Sequence, residues 1–290
     1  MVVSLISCTD SDEEKFHDKK LNSGGAISTR RPPSFIWRIH KLHRRTLRMG
    51  GTGAGLQLLQ KVGESYAATT PGIEVEIVPS LGTSGGIRAL AEGAIDIGVA
   101  SQALKTEEAE TGLREFGVAR TAFVLVTSRS NPESLHAHEV AAAFGGESSW
   151  PDKSPMRIVL RPETESDTRL LEKYFPGMPQ ALSQARLRPE IPVAATDQDN
   201  ATAAEKTQGS LTGASLVQLL TEARDLRSIR IDGVEPTLAN LESGRYPYEK
   251  KLHFLVSETG SPAAVAFAKF LQSQAAASTM REFGILPIGQ

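Results

Sequence analysis

Four short stretches of this chain carry the residue types that hold anions. They are Gly50-Gly51-Thr52-Gly53-Ala54-Gly55, Gly82-Thr83-Ser84-Gly85-Gly86, Ala100-Ser101-Gln102 and the run from Arg161 to Thr168, which ends in Ser166-Asp167-Thr168. Each follows an apolar run and enters a helical pattern. A helix N-terminus offers unpaired N–H groups and a partial positive charge, so anions settle there. Glycines let the backbone approach closely, and hydroxyls add short donors. One Ser or Thr ahead of a helix is ordinarily only an N-cap. Four such stretches mean more, because the strand C-termini of an open α/β sheet point into one crevice. Neutral donors converging with one arginine, Arg161, describe a site for a small oxyanion.

Rival chemistries fit less well. Gly51-Thr52-Gly53 lacks the third glycine of a dinucleotide fingerprint, Leu56 standing in its place. No Gly-Lys-Ser/Thr follows any glycine loop, so the phosphate loop of nucleotidases is absent. Gly82-Thr83-Ser84-Gly85-Gly86 satisfies Gly-x-Ser-x-Gly, and Ser84, Asp232 and His253 stand in hydrolase order. A serine hydrolase built on Ser84 is therefore an alternative. Against it, Pro79-Ser80-Leu81 separates strand from turn where a nucleophile elbow needs an abrupt junction, and His253 sits inside a strand pattern. The pairs His40/His43 and His136/His138 lack carboxylate or thiol companions at ligand spacing, so neither a metal nor any other cofactor is expected.

The elements that must position these residues read as parallel βαβ units. Thr46–Met49 forms a strand, and Leu56, Leu59, Val62 and Tyr66 mark one face of a helix. Ile73-Glu74-Val75-Glu76-Ile77 alternates as a strand, Ile87 and Leu90 mark a second helix, and Ile95–Ala100 a buried strand. The grammar recurs with a strand at Ala122–Thr127, a helix at His138–Phe144 and a strand at Arg157–Leu160. A helix then carries Leu170, Leu171, Tyr174 and Phe175, and strands follow at Ile229–Ile231 and Leu252–Val256. The last helix starts at Pro262, a residue suited to a first helical turn. Such a succession implies α/β architecture with mostly parallel sheets covered on both faces.

The composition bounds the function classes. With 290 residues, 40% hydrophobic and 23% charged, the chain has room for two modest lobes with real cores. The net charge of −2 gives none of the basic field that nucleic-acid binders carry. One cysteine, Cys8, excludes a disulfide framework. The charge is uneven: residues 1–48 hold ten Lys/Arg against five Asp/Glu, leaving −7 for the remainder. Residues 1–45 read as a disordered or leader segment. Leu5-Ile6-Ser7-Cys8 has the form of a lipidation box, and Arg30-Arg31 that of a twin-arginine signal, yet neither has an apolar core beside it.

Taken in order, these motifs resemble phosphate-binding proteins of ABC transporters. The likeness runs through Gly50–Glu107, then Phe144-Gly145-Gly146 with Trp150-Pro151-Asp152, and Val159-Leu160-Arg161-Pro162 with Ser166-Asp167-Thr168. It ends with Val234-Glu235-Pro236-Thr237 and Gly244-Arg245-Tyr246-Pro247, so it covers about residues 46–290. The resemblance implies a two-lobed periplasmic-binding-protein clamp with two crossover strands. Lobe 1 would comprise 46–125 and 226–290, and lobe 2 would comprise 126–225. It further implies a non-enzymatic receptor outside the cytoplasm, a monomer that hands phosphate or a similar oxyanion to permease subunits. An oxyanion sensor using the same clamp is the other reading.

By position, the resemblance makes Thr52 with the Gly53 and Ala54 amides the first anion loop, Thr83 and Ser84 the second, and Ser101 with Gln102 the third. Arg161, Ser166, Asp167 and Thr168 become the fourth. Two places depart from the family pattern. Gln102 stands where an acidic residue commonly accepts the proton of hydrogen phosphate, and Asp167 stands where glycine is common. Asp167 is therefore expected either to replace the missing acceptor or to turn away and cap its helix.

Overall fold

The computed structural model describes residues 45–146 and 149–287. Cys8, Arg30-Arg31, the His40/His43 pair and the rest of the leader segment through residue 44 lie outside the described residues.

Strand β1 (Arg45–Gly51) leads into helix α1 (Gly53–Thr69), whose Leu56, Leu59, Val62 and Tyr66 are all buried, as their spacing predicts. β2 (Ile73–Ile77), α2 (Gly82–Ala91) and β3 (Ile97–Ala100) follow, then a one-turn helix α3 (Thr106–Ala109). The predicted strand at Ala122–Thr127 is the end of a much longer one, β4 (Leu113–Thr127). After a short 3-10 turn come α4 (Val140–Gly145), β5 (Arg157–Ile158), α5 (Ser166–Tyr174), α6 (Met178–Arg186) and α7 (Asp197–Lys206). The chain continues through β6 (Ser210–Ser215), α8 (Leu216–Glu222), β7 (Arg227–Ser228) and α9 (Leu238–Glu242). It closes with β8 (Glu249–Ser257), α10 (Pro262–Leu271), α11 (Gln274–Glu282) and β9 (Ile285–Leu286).

The strands are ordered β2-β1-β3-β8-β4-β6-β5, with β7 and β9 both joined to β4. Pairing is parallel where the βαβ pattern was read, in β1/β2, β1/β3 and β5/β6. It is antiparallel along β3/β8, β8/β4 and β4/β6. β4 and β8 are thus the long central strands, registered from Leu113↔Ser257 to Ala122↔Glu249.

β4 and the segment that leads into β8 join two cores. Leu47, Met49, Leu58, Val99, Phe254 and Phe267 belong to one, together with Ala119 of β4 and Leu252 of β8. Phe123 and Val126 of β4 belong to the other, with Phe144, Trp150, Phe175, Tyr246 and Tyr248. The chain therefore passes from one core to the other within β4 and again around the start of β8. Tyr246 fixes the second passage, being buried with its hydroxyl donating to the Phe123 carbonyl at 2.9 Å.

Several elements differ from the pattern. Gly82–Gly86 is not a free turn but the opening of α2, and Ser166–Thr168 opens α5. The predicted strand at Ile229–Ile231 reduces to bridges from Ile231 to Leu135 and Val234, beside the two-residue β7. β6 was not visible because Ser-Leu-Thr-Gly-Ala-Ser has no apolar run. It is nevertheless wholly buried, with Thr212 donating to the Val159 carbonyl at 2.8 Å.

Candidate functional site

On the first core's side, the sequence places three hydroxyls at the ends of adjacent elements. Thr52 is the buried N-cap of α1, yet its side chain caps nothing. Its oxygen instead accepts from the Ser101 hydroxyl at 3.0 Å, while Thr83 Oγ1 accepts from the Ser101 amide at 3.1 Å. A hydroxyl has one proton to give. Ser101 gives its proton to Thr52, so Thr52 and Thr83 keep theirs for a guest. Gly53 and Ala54 lie in the first turn of α1, where N–H groups have no carbonyl within the helix to meet.

Glycine is required at one point here and permits a close approach at another. Gly51 has φ +134°, and a Cβ on it would sit 1.9 Å from the Val99 carbonyl oxygen. A Cβ on Gly53 would come within 2.5 Å of Gln198 Oε1 and 2.7 Å of Asp197 Oδ2. Residues from the start of α7 therefore press directly on the N-terminus of α1. Gln198 Nε2 also donates to the Gly53 carbonyl at 3.1 Å.

On the other side, Arg161 leaves the end of the β5 segment with only 4% of its side chain exposed. One terminal nitrogen donates to the Ala194 carbonyl at 2.7 Å and the other to Glu165 Oε2 at 3.1 Å. The second also lies 3.8 Å from Asp197 Oδ2, and the buried Nε has no hydrogen-bond partner among the described residues. Asp167 is buried in the first turn of α5 and pairs with the Lys250 ammonium, which is itself 3.5 Å from Asp197 Oδ1. Burial alone would lower the lysine pKa, but Asp167 and Asp197 outweigh it and hold it above the ordinary value. Thr168 donates to the Pro162 carbonyl at 2.9 Å, so its hydroxyl ties down its own loop.

The structure thus brings Thr52, Gly53, Ala54, Thr83 and Ser101 together on one side, and Arg161, Asp167 and Thr168 on the other. Ser166 stands beside Asp167, its hydroxyl 3.5 Å from Asp167 Oδ1. Gln102 reaches across, accepting from Arg169 at 3.2 Å. Ser84 is exposed on α2 and its hydroxyl makes no hydrogen bond among the described residues. The hydrolase order is not a triad. His253 pairs with Glu115 at 2.6 Å, whereas Asp232 pairs with His136 at 3.1 Å. Sequence reasoning missed Asp197, Gln198, Glu165 and Lys250. The only trace of the first two was the Thr196-x-x-Asp199 capping box that starts α7.

A family model described as the PBP superfamily domain matches residues 39–275. The chain belongs to the PBP superfamily. Among curated relatives of this superfamily chain, Protein SphX of Synechococcus elongatus is 26% identical over 265 residues, covering 82% of this chain and 76% of SphX. Phosphate-binding protein PstS 2 of Streptococcus agalactiae is 29% identical over 108 residues, 37% of this chain and 36% of that protein. A Clostridium perfringens structure with bound phosphate, described as a phosphate ABC transporter substrate-binding protein, has a TM-score of 0.70 at 17% identity. It is matched over 84% of this chain and 100% of its own. PfluDING, a high-affinity periplasmic phosphate-binding protein, has a TM-score of 0.61 at 15% identity, over 84% of this chain and 91% of its own. These structural likenesses are likenesses of fold: two lobes joined by crossover strands.

Proposed function

We propose that this chain is an extracytoplasmic solute-binding protein. It captures inorganic phosphate, or a closely related oxyanion, between two lobes and delivers it to the permease subunits of an ABC transporter. Lobe 1 takes in 46–125 and 226–290, and lobe 2 takes in 126–225. The reading rests on one observation above all: the N-terminus of α1, with the free protons of Thr52 and Thr83 beside it, faces residues that surround Arg161 on the other side. The names of the curated relative PstS 2 and of the phosphate-bound fold neighbours support the same guest. Among the described residues no helix is long and apolar enough to cross a membrane, which suits a receptor that meets its permease at a surface.

In this reading the Gly53 and Ala54 amides and the Thr52 and Thr83 hydroxyls bind oxygens from lobe 1. Arg161 pairs with the guest from lobe 2, where the amides at the start of α5 add further donors. Burying a charged guest is favourable only if nearly every oxygen is hydrogen-bonded. Titration calorimetry with phosphate tests the reading. Micromolar or tighter binding is expected, about −8 kcal/mol or better, weakened about a hundredfold in Arg161→Ala. Absence of both binding heat and thermal stabilisation by phosphate rejects it.

A further inference from the structure

Beside the anion loops of the first core's side lies a groove of about 600 Å3. It runs along the N-terminal half of α1, between the end of β2 and the start of α7. Sites that enclose organic ligands have about 300–1,000 Å3, far more than a bare oxyanion fills. The groove begins where two of the loops end: Leu56 is one turn past Thr52, and Ser80 stands shortly before Thr83. Its far wall is the start of α7, with Thr196, Gln198 and Asp199. Gln198 ties groove and loop together, since its Nε2 donates to the Gly53 carbonyl at 3.1 Å.

The lining is of two kinds. Leu56, Ile77 and Val78 form an apolar floor. Over it stand the Gln57 amide and the Ser80 hydroxyl, both half-buried and neither in a side-chain hydrogen bond among the described residues. Thr196 and Asp199, by contrast, are engaged with each other in the capping box of α7. An apolar floor with a few uncommitted polar groups is the make-up of a small-molecule subsite. At 1.5 Å per helical residue, Gln57 and Gln60 lie about 6 Å and about 10 Å along the axis from Gly53. A chain of a few atoms attached to an anion at Gly53 spans that length.

We infer that this groove is a subsite for an organic substituent of the guest: the protein takes a phosphoryl group carrying a short chain that ends in a hydroxyl or amino group, as a phosphonate or a phosphate monoester. The inference rests on the oxyanion reading of the cleft and names its substrate class. Both kinds of compound keep three terminal oxygens for the loops and Arg161, and replace the fourth by carbon or by an ester oxygen. The methylenes of the chain leave water for the apolar floor, each adding to affinity. The terminal group then meets Gln57 or Ser80, which can donate or accept. Inorganic phosphate gains neither contact.

Calorimetry on the full chain tests it with inorganic phosphate, 2-aminoethylphosphonate and glycerol 3-phosphate. At least one chain-bearing compound should bind about tenfold more tightly than phosphate, and which one does so separates a P–C guest from a P–O–C guest. Gln57→Trp and Gln60→Trp fill the groove without touching the anion loops. Each should weaken the chain-bearing compound about tenfold or more while phosphate affinity stays within about twofold, which also reports a folded protein. Gln60→Trp, farther along the groove, decides the matter where Gln57→Trp disturbs phosphate binding as well. Phosphate bound as tightly as both chain-bearing compounds, or more tightly, overturns the inference and leaves the receptor reading standing. A chain-bearing advantage that survives both substitutions does the same. Absence of binding by all three compounds defeats the receptor reading and this inference with it.

Discussion

Lys250 is buried, with two carboxylates within reach, Asp167 and Asp197. Removing one member of a buried ion pair costs more than the pair contributes, because the partner charge is left uncompensated. Lys250→Met should therefore destabilise the protein by about 3–5 kcal/mol in chemical denaturation. The lysine pKa is raised by its partners, so the stabilisation is complete below the unfolded-state value and disappears as pH climbs through the folded-state value. The gap between wild type and variant should be constant through neutral pH and narrow only in the alkaline range, above the ordinary lysine pKa. A gap that opens toward acid instead would mean that the carboxylates, not the lysine, dominate the linkage. Asp167 answers the question posed by its sequence position at this same scale. Its Oδ1 holds Lys250, a partner its sequence position does not announce.

At the scale of elements, α1 and α7 meet end to end, and the closeness of that meeting depends on one missing methyl group. Alanine at Gly53 suits a helix better than glycine by about 1 kcal/mol. Its Cβ, however, would lie 2.5 Å from Gln198 Oε1 and 2.7 Å from Asp197 Oδ2, so these two side chains must shift. Gly53→Ala should leave thermal stability within about 1 kcal/mol of wild type while weakening phosphate binding about tenfold or more. Calorimetry beside a melting curve separates the two effects. An affinity equal to wild type would show that the α1–α7 contact does not shape the site. The Arg169–Gln102 bond is different in kind, being exposed and far from Gly53 in sequence. Arg169→Ala should change stability by less than about 0.5 kcal/mol and show itself only as faster phosphate release in stopped-flow measurements.

Across the whole molecule, β4 contributes to both cores and β8 enters the first directly after Tyr246 and Tyr248 of the second, so any movement of one lobe against the other must bend these two strands or the segments that flank them. A guest that bonds to both sides at once favours the closed arrangement by its differential affinity for it. Phosphate at about 100 times its dissociation constant should stabilise the protein by about 2.7 kcal/mol. Arg161→Ala, binding about a hundredfold more weakly, should cut that increment to about 0.4 kcal/mol at the same phosphate concentration, and an increment retained in full would place the anion elsewhere.

The strand-to-helix loops and the α1 stripe were legible in the sequence because glycine, hydroxyl and 3.6-residue patterns are local. Thr52, Gly53, Thr83, Ser101 and Arg161 could be read for the same reason: their types announce anion chemistry and their neighbours announce helix starts. β6 was hidden, since a buried strand of small and polar residues carries no alternation. The charged floor of the cleft was hidden more deeply. Asp197 and Lys250 are 53 positions apart, and each alone is an ordinary surface residue type. Only the packing of α7 and β8 around Arg161 removes water from both and makes their charges act on one another. Local sequence determined which loops open into helices and carry anion-binding residue types; the tertiary structure decided which charged side chains surround Arg161, because electrostatic energy depends on distance and burial, and neither is written along the chain.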